Sequence, residues 1–145
     1  MKAVSDILIK CNVIDIVGKN DKMVSNIVFD SRKSNVDSVF FAIRGTQVDG
    51  HDYIDKAVEQ GCRAVVCEQL PENVDADVTY YIVENTAKSL GFAASELYGN
   101  PSEKLRLVGV TGTNGKTTIA TLLYRLFYNS GYPCGLLSTI ENRIN

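Results

Sequence analysis

Gly109-Val110-Thr111-Gly112-Thr113-Asn114-Gly115-Lys116-Thr117-Thr118 carries the residue types needed to hold a chain of phosphates. Glycines let backbone N–H groups close around phosphate oxygens, and the start of a helix adds partial positive charge. A lysine at this point reaches the outer phosphates of a nucleotide, and the hydroxyl that follows it can bind magnesium. The candidate ATP-binding residues are therefore Gly112, Thr113, Asn114, Gly115, Lys116, Thr117 and Thr118, with Lys116 the catalytic candidate and Thr117 the metal candidate. The general phosphate-loop pattern asks for glycine six positions before the lysine, where this chain has Val110. That departure counts against a generic GTPase or motor ATPase.

Such a loop needs a strand before it and a helix after it. Residues 105–110 read as the strand, and residues 117–130 as the helix, with Ile119, Leu122, Leu123, Leu126 and Phe127 on one face. Gly131 and Pro133 end the helix, and residues 136–140 are expected to return as a second, parallel strand. Upstream, residues 24–29, 38–43, 64–67 and 80–83 read as strands. A helix is expected from Asp52 as N-cap, with Ile54, Ala57 and Val58 inward and Gly61 as its stop. Another is expected after Asn85, with Ala87, Leu90, Ala94 and Leu97 inward, stopped by Gly99-Asn100-Pro101. The alternation predicts an α/β fold with Phe40, Ile43, Val65, Val66, Ile82 and Leu90 in its core. Punctuation at residues 98–104 divides a first domain, 1–100, from a second unit, 104–145.

Composition removes other classes. Fifteen basic against seventeen acidic residues give a net charge of −2, with no block of one sign to attract nucleic acid or a membrane surface. The N-terminus lacks a clean apolar stretch, which reads as cytoplasmic. Cys11, Cys62, Cys67 and Cys134 form no Cys-x-x-Cys pair and have only His51 for company, which argues against zinc. Cys67 lies in an apolar run and reads as a small buried thiol. A lone histidine after Asp-Gly reads as a loop closer, and Asp30 and Arg32 are placed to form a local ion pair or, equally, to touch ligand.

The run Gly-Thr-Asn-Gly-Lys-Thr-Thr after an apolar strand resembles the variant loop of the Mur ligases and folylpolyglutamate synthetases. Asp30-Ser31-Arg32, Val39-Phe40-Phe41-Ala42 with Gly45, Asp49-Gly50-His51 with Tyr53, Ile54 and Ala57, and residues 61–66 look like the N-terminal substrate domain of Mur ligases. Folylpolyglutamate synthetases lack a preceding domain of this kind. Residues 135–144 resemble the segment after the loop helix in those Mur ligases that add the third residue of the cell-wall stem peptide. The ligases that add the terminal dipeptide are the alternative. The resemblance implies an α/β fold: a Mur-ligase substrate domain, then the first strand-loop-helix-strand of a P-loop domain.

It implies an ATP- and Mg2+-dependent amide ligase of peptidoglycan synthesis, acting through an acyl phosphate. Its partners would be UDP-N-acetylmuramoyl-dipeptide and an amino acid, diaminopimelate or lysine. Phe29, Ser31, Thr46, Gln47 and Val48 match the family's contacts to the uridine diphosphate. The chain by itself is expected to be inactive. A non-catalytic UDP-sugar-binding module and an unrelated P-loop NTPase are the readings from other classes.

Overall fold

The computed structural model describes residues 1–18 and 21–144; Lys19, Asn20 and Asn145 of the units expected above lie outside them. The chain divides into two compact units, Met1–Leu105 and Arg106–Asn145. The first contains β1 (Lys2–Ala3), α1 (Val4–Ile7), β2 (Val13–Val17), β3 (Met23–Val24), β4 (Asn26–Val28), a 3-10 turn at Ser31–Lys33 and β5 (Ser38–Phe41). A second 3-10 turn, Gly50–Tyr53, leads into α2 (Ile54–Glu59), followed by β6 (Ala64–Cys67), β7 (Thr79–Val83), α3 (Thr86–Leu97) and α4 (Pro101–Lys104).

Five strands form the central sheet in the order β2-β7-β6-β5-β4. β4 to β7 run parallel, in a register that sets Phe40 opposite Val65 and Val65 opposite Tyr80, while β2 pairs antiparallel with β7 at the edge. A parallel sheet is covered on both faces, so its strands read as continuous apolar runs; β5 and β6 are buried along their whole length. Successive side chains still point to opposite faces. Val39, Phe41, Val66 and Tyr81 pack with Val4 and Ile7 of α1 and Ala93 of α3. Phe40, Val65, Cys67 and Tyr80 pack with Ile54 and Ala57 of α2. The two expected helices thus lie on opposite faces. Truncating a side chain such as Phe40 to alanine would cost about 3–5 kcal/mol.

Several local expectations are corrected. The strand expected at 24–29 breaks at Ser25 into β3 and β4. Asp52 is not a cap: Asp49 caps the 3-10 turn by accepting the His51 N–H, and α2 begins without a side-chain cap. Asn85 does cap α3, accepting Lys88 N–H at 2.7 Å. The buried residues of α3 are Thr86, Ser89 and Ala93, with Leu90 and Leu97 half-covered and Ala87 exposed. The Thr86 N–H and hydroxyl both donate to Glu68 Oε1 at 3.0 Å, which turns that threonine inward and sets the rotation of the helix. Phe40, Val65 and Val66 are buried, but Ile43, Ile82 and Leu90 only partly. Ile43 follows the end of β5, where its N–H bonds Phe41 O and the chain turns off the sheet.

The second unit holds α5 (Lys116–Asn129), β8 (Gly135–Leu137) and β9 (Asn142–Ile144). Residues 105–110 are not a strand, because a strand exists by pairing and none lies beside them among the described residues. Among the described residues β8 has no parallel partner; it forms an antiparallel hairpin with β9. Ser138 organises the turn, its hydroxyl donating to Glu141 O at 2.8 Å and accepting Glu141 N–H at 3.1 Å. Arg143 of β9 lies over the Tyr124 ring of α5, 5.9 Å from its centroid. Of the expected apolar face, Leu123 is half-covered while Ile119, Leu122, Leu126 and Phe127 are exposed; Tyr124 is the buried residue of α5.

Candidate functional site

The sequence places glycine where the phosphate loop bends. Gly112 has φ 146° and Gly115 φ 76°, both in the left-handed region that a side chain disfavours. Gly115 sits at the N-cap of α5 and offers no side chain to the helix. The first backbone bond into the helix is Ile119 N–H to Gly115 O, at 2.9 Å. Among the described residues, the N–H groups of residues 112–118 donate to nothing. Those free donors, at the positive end of a helix, form an anion cradle. Lys116 Nζ donates to Gly112 O and, at 3.2 Å, to Thr113 O, so the ammonium sits over the loop with carbonyl partners that phosphate oxygens can replace. Thr117 is half-buried in the first helical turn and its hydroxyl has no partner among the described residues. The donor set fits a nucleotide triphosphate with a magnesium ion.

The other candidates lie on the first unit, at the C-terminal ends of the parallel strands, where open α/β sheets hold their ligands. Phe29 and Ser31 follow β4; Thr46, Gln47 and Val48 follow β5. The strand register brings both groups to one edge of the sheet. Phe29 is 67% exposed and Val48 55%, whereas Ser31 is buried inside the 3-10 turn at 5%. Asp30 closes that turn, accepting Arg32 N–H at 3.1 Å and pairing with the guanidinium through two 2.9 Å bonds. The guanidinium beside it, then the Arg32 N–H, hold the Asp30 carboxyl down to about 2. Arg32 is thus engaged locally.

The 46–48 loop is the tip of a hairpin. Gly45 N–H donates to Val48 O at 2.9 Å, Arg44 pairs with Asp49 across the stem, and Gly50 N–H donates to Ile43 O at 2.8 Å. No side chain fits at Gly50, since a Cβ there would lie 2.6 Å from Ile43 N and 2.7 Å from Ile43 O. His51 does close this loop, and does so through Asp49 and Glu68. Arg44, Glu68 and Thr86 joined no sequence-level candidate. An acidic residue directly after a buried strand, as Glu68 is after Cys67, was the available signal.

Three comparisons bear on this arrangement. A family model described as Mur ligase family, catalytic domain matches residues 23–98, and one described as Mur ligase middle domain matches residues 110–145. The UDP-N-acetylmuramoyl-L-alanyl-D-glutamate-2,6-diaminopimelate ligase of Cytophaga hutchinsonii is 51% identical over 97% of this chain, and that of Bacteroides fragilis 49% identical over 97%. This chain spans 29% of the length of each. A solved MurF from Acinetobacter baumannii matches 89% of the chain and 28% of its own, at TM-score 0.63 and 20% identity, a likeness of fold. A MurF ligase from Thermotoga maritima, solved in complex with ADP, matches 72% of the chain and 23% of its own, at TM-score 0.53 and 34% identity.

Proposed function

We propose, from the premise that this chain belongs to the Mur ligase family, that it supplies the UDP-substrate domain and the phosphate loop of a cytoplasmic, ATP-dependent ligase. The reaction would add diaminopimelate to UDP-N-acetylmuramoyl-L-alanyl-D-glutamate in peptidoglycan synthesis. Residues 1–100 would hold the nucleotide-linked substrate, and residues 104–145 would begin the ATP domain. The observation that carries the proposal is the set of unpartnered N–H groups at residues 112–118, under Lys116 and at the head of α5. Diaminopimelate is favoured over the dipeptide by the 51% and 49% identities, over 97% of this chain, to two diaminopimelate ligases.

In the proposed reaction a free carboxylate oxygen of the muramoyl dipeptide attacks the γ-phosphorus of ATP. The bond to the bridging oxygen breaks and ADP leaves. The amine of the incoming amino acid then attacks the acyl phosphate carbon, phosphate departs, and the nitrogen loses a proton. Bringing γ-phosphate and carboxylate together sets two anions face to face, so charge neutralisation is the main demand. The N–H groups of residues 112–118 would bind the phosphate chain, and Lys116 would exchange its carbonyl partners for γ-phosphate oxygens as charge builds there. A magnesium ion would supply further neutralisation, with the Thr117 hydroxyl as one ligand. Phe29, Ser31, Thr46, Gln47 and Val48 would hold the uridine diphosphate on the other unit.

Calorimetric titration of the chain with MgATP and, separately, with UDP-N-acetylmuramoyl-L-alanyl-D-glutamate tests this. Both should bind, Lys116→Ala should weaken only MgATP, and the double variant Thr46→Ala/Gln47→Ala should weaken only the UDP-linked ligand. MgATP binding without any affinity for the UDP-linked ligand would overturn the substrate-site half of the proposal.

A further inference from the structure

The hairpin that carries Thr46, Gln47 and Val48 is tied to the rest of its unit through one imidazole. His51 Nδ1 lies 2.6 Å from Asp49 Oδ1, and His51 Nε2 lies 2.9 Å from the Glu68 backbone nitrogen. A backbone N–H can only donate, so Nε2 is the acceptor and Nδ1 carries the ring proton. The histidine side chain is 7% exposed, and its tautomer is fixed by these two partners. Asp49 binds Arg44 Nε through its other oxygen at 3.0 Å, and Arg44 Nη1 reaches to 3.8 Å from Glu68 Oε2. The second Glu68 oxygen accepts both Thr86 donors at the start of α3. Hairpin, end of β6 and start of α3 are thereby joined by hydrogen bonds and by one longer ion pair, Arg44 to Glu68.

The hairpin tip has little else to place it. Residues 46–48 are exposed, and the tip is held by the bond from Gly45 N–H to Val48 O. Its position is therefore set from the stem, by Arg44, Asp49, Gly50 and His51. We infer that His51 and Glu68 are positioning residues for the 46–48 loop, and that the loop's affinity for a nucleoside diphosphate ligand depends on the ties made through His51 Nε2 and the Glu68 carboxylate. The inference rests on the proposed role of that loop in holding the UDP end of the substrate.

Loss of the imidazole acceptor would leave the Glu68 N–H unmatched and free the hairpin from β6. The charged groups around the ring are Arg44 and Asp49 on its own hairpin and Glu68 after β6. Asp49 is held at about 2, first by the His51 N–H bond, and Glu68 is held low, first by the Thr86 N–H bond, so both carboxylates keep the charge that faces Arg44.

The test is titration of the 145-residue chain with UDP-N-acetylmuramoyl-L-alanyl-D-glutamate. His51→Ala and Glu68→Ala should each weaken binding about tenfold, the loss of roughly one hydrogen bond's worth of positioning. His51→Gln, which keeps an acceptor near the Nε2 position, should recover most of that loss. If Thr46→Ala/Gln47→Ala weakens binding while His51→Ala and Glu68→Ala do not, the positioning role is overturned and the loop's role stands. If the ligand binds and the Thr46→Ala/Gln47→Ala chain binds it equally well, or if nothing binds, the loop's proposed role has failed and the inference goes with it. Should His51→Ala fail to fold, Glu68→Ala decides: a Glu68→Ala chain that binds the ligand as well as the original overturns the inference.

Discussion

Gly50→Ala is the substitution with the largest effect that the geometry dictates around the 46–48 hairpin. Its φ is not in the left-handed region, so the cost is one of space and not of backbone conformation. The new methyl would meet Ile43 N at 2.6 Å, Ile43 O at 2.7 Å and Ala42 C at 3.0 Å, all backbone atoms that cannot rotate away. Comfortable carbon contacts begin near 3.5 Å, so the two backbones must part by about 1 Å. That parting breaks the 2.8 Å bond from Gly50 N–H to Ile43 O. Overpacking costs about 1–3 kcal/mol, and leaving a half-buried peptide pair unmatched costs about 1–3 kcal/mol more. The sum, about 2–6 kcal/mol, is a large share of the roughly 5–15 kcal/mol that holds a domain folded. Urea unfolding of the chain, followed by far-ultraviolet circular dichroism, should show the midpoint falling accordingly. A Gly50→Ala chain within about 0.5 kcal/mol of the original, the ordinary range for surface changes, would refute the argument.

Gly91 supplies the opposite case: it lies inside α3 with nothing within 4 Å of a built Cβ, so Gly91→Ala should stabilise the chain by about 0.5–1 kcal/mol in the same unfolding assay. Asp49 is held at about 2 in the fold, against about 3.9 in an unfolded chain. A depressed carboxyl contributes stability above the unfolded value and loses it as pH falls toward the folded one. Asp49→Asn should therefore be less stable than the original near neutrality, with the gap closing between about pH 4 and about pH 2; a pH-independent gap in the unfolding midpoint would contradict this. Burial pushes the Cys67 thiol up to about 12, and Cys62 is raised for the same reason. Native-state alkylation followed by mass spectrometry should label the half-exposed Cys134 first, and reach Cys67 only as fast as the first unit opens.

Sequence reading succeeded where a residue's neighbours are close in the chain. Phe40, Val65 and Val66 lie in short apolar runs bounded by turns, which mark buried parallel strands whatever they pair with. Asn85 marks a helix start through local chemistry, as a side-chain cap. What escaped depends on partners distant in sequence. The inward face of α3 is fixed by Glu68, 18 residues before Thr86, so the helical periodicity of Ala87, Leu90, Ala94 and Leu97 pointed to a neighbouring face. The expected strand at 105–110 and the parallel pairing of 136–140 both required a sheet, and β8 finds its partner in β9 instead. The phosphate-loop donors were legible residue by residue. The circuit through Arg44, Asp49, His51, Glu68 and Thr86 was not, because it joins three segments separated by strands and loops.

The central claim is that one unit of this chain binds a UDP-linked substrate while the other supplies phosphate-transfer chemistry. It is tested most directly in a ligase made by joining this chain to the part of the Cytophaga hutchinsonii relative that it does not cover. Phosphate release and affinity for UDP-N-acetylmuramoyl-L-alanyl-D-glutamate would be measured with and without Lys116→Ala. The account predicts that turnover falls by a factor on the order of 10³, the scale of losing a charge aimed at the transferring group, while affinity for the UDP-linked substrate stays within about twofold. A Lys116→Ala enzyme that keeps most of its turnover, or that loses substrate affinity and turnover together, would contradict it.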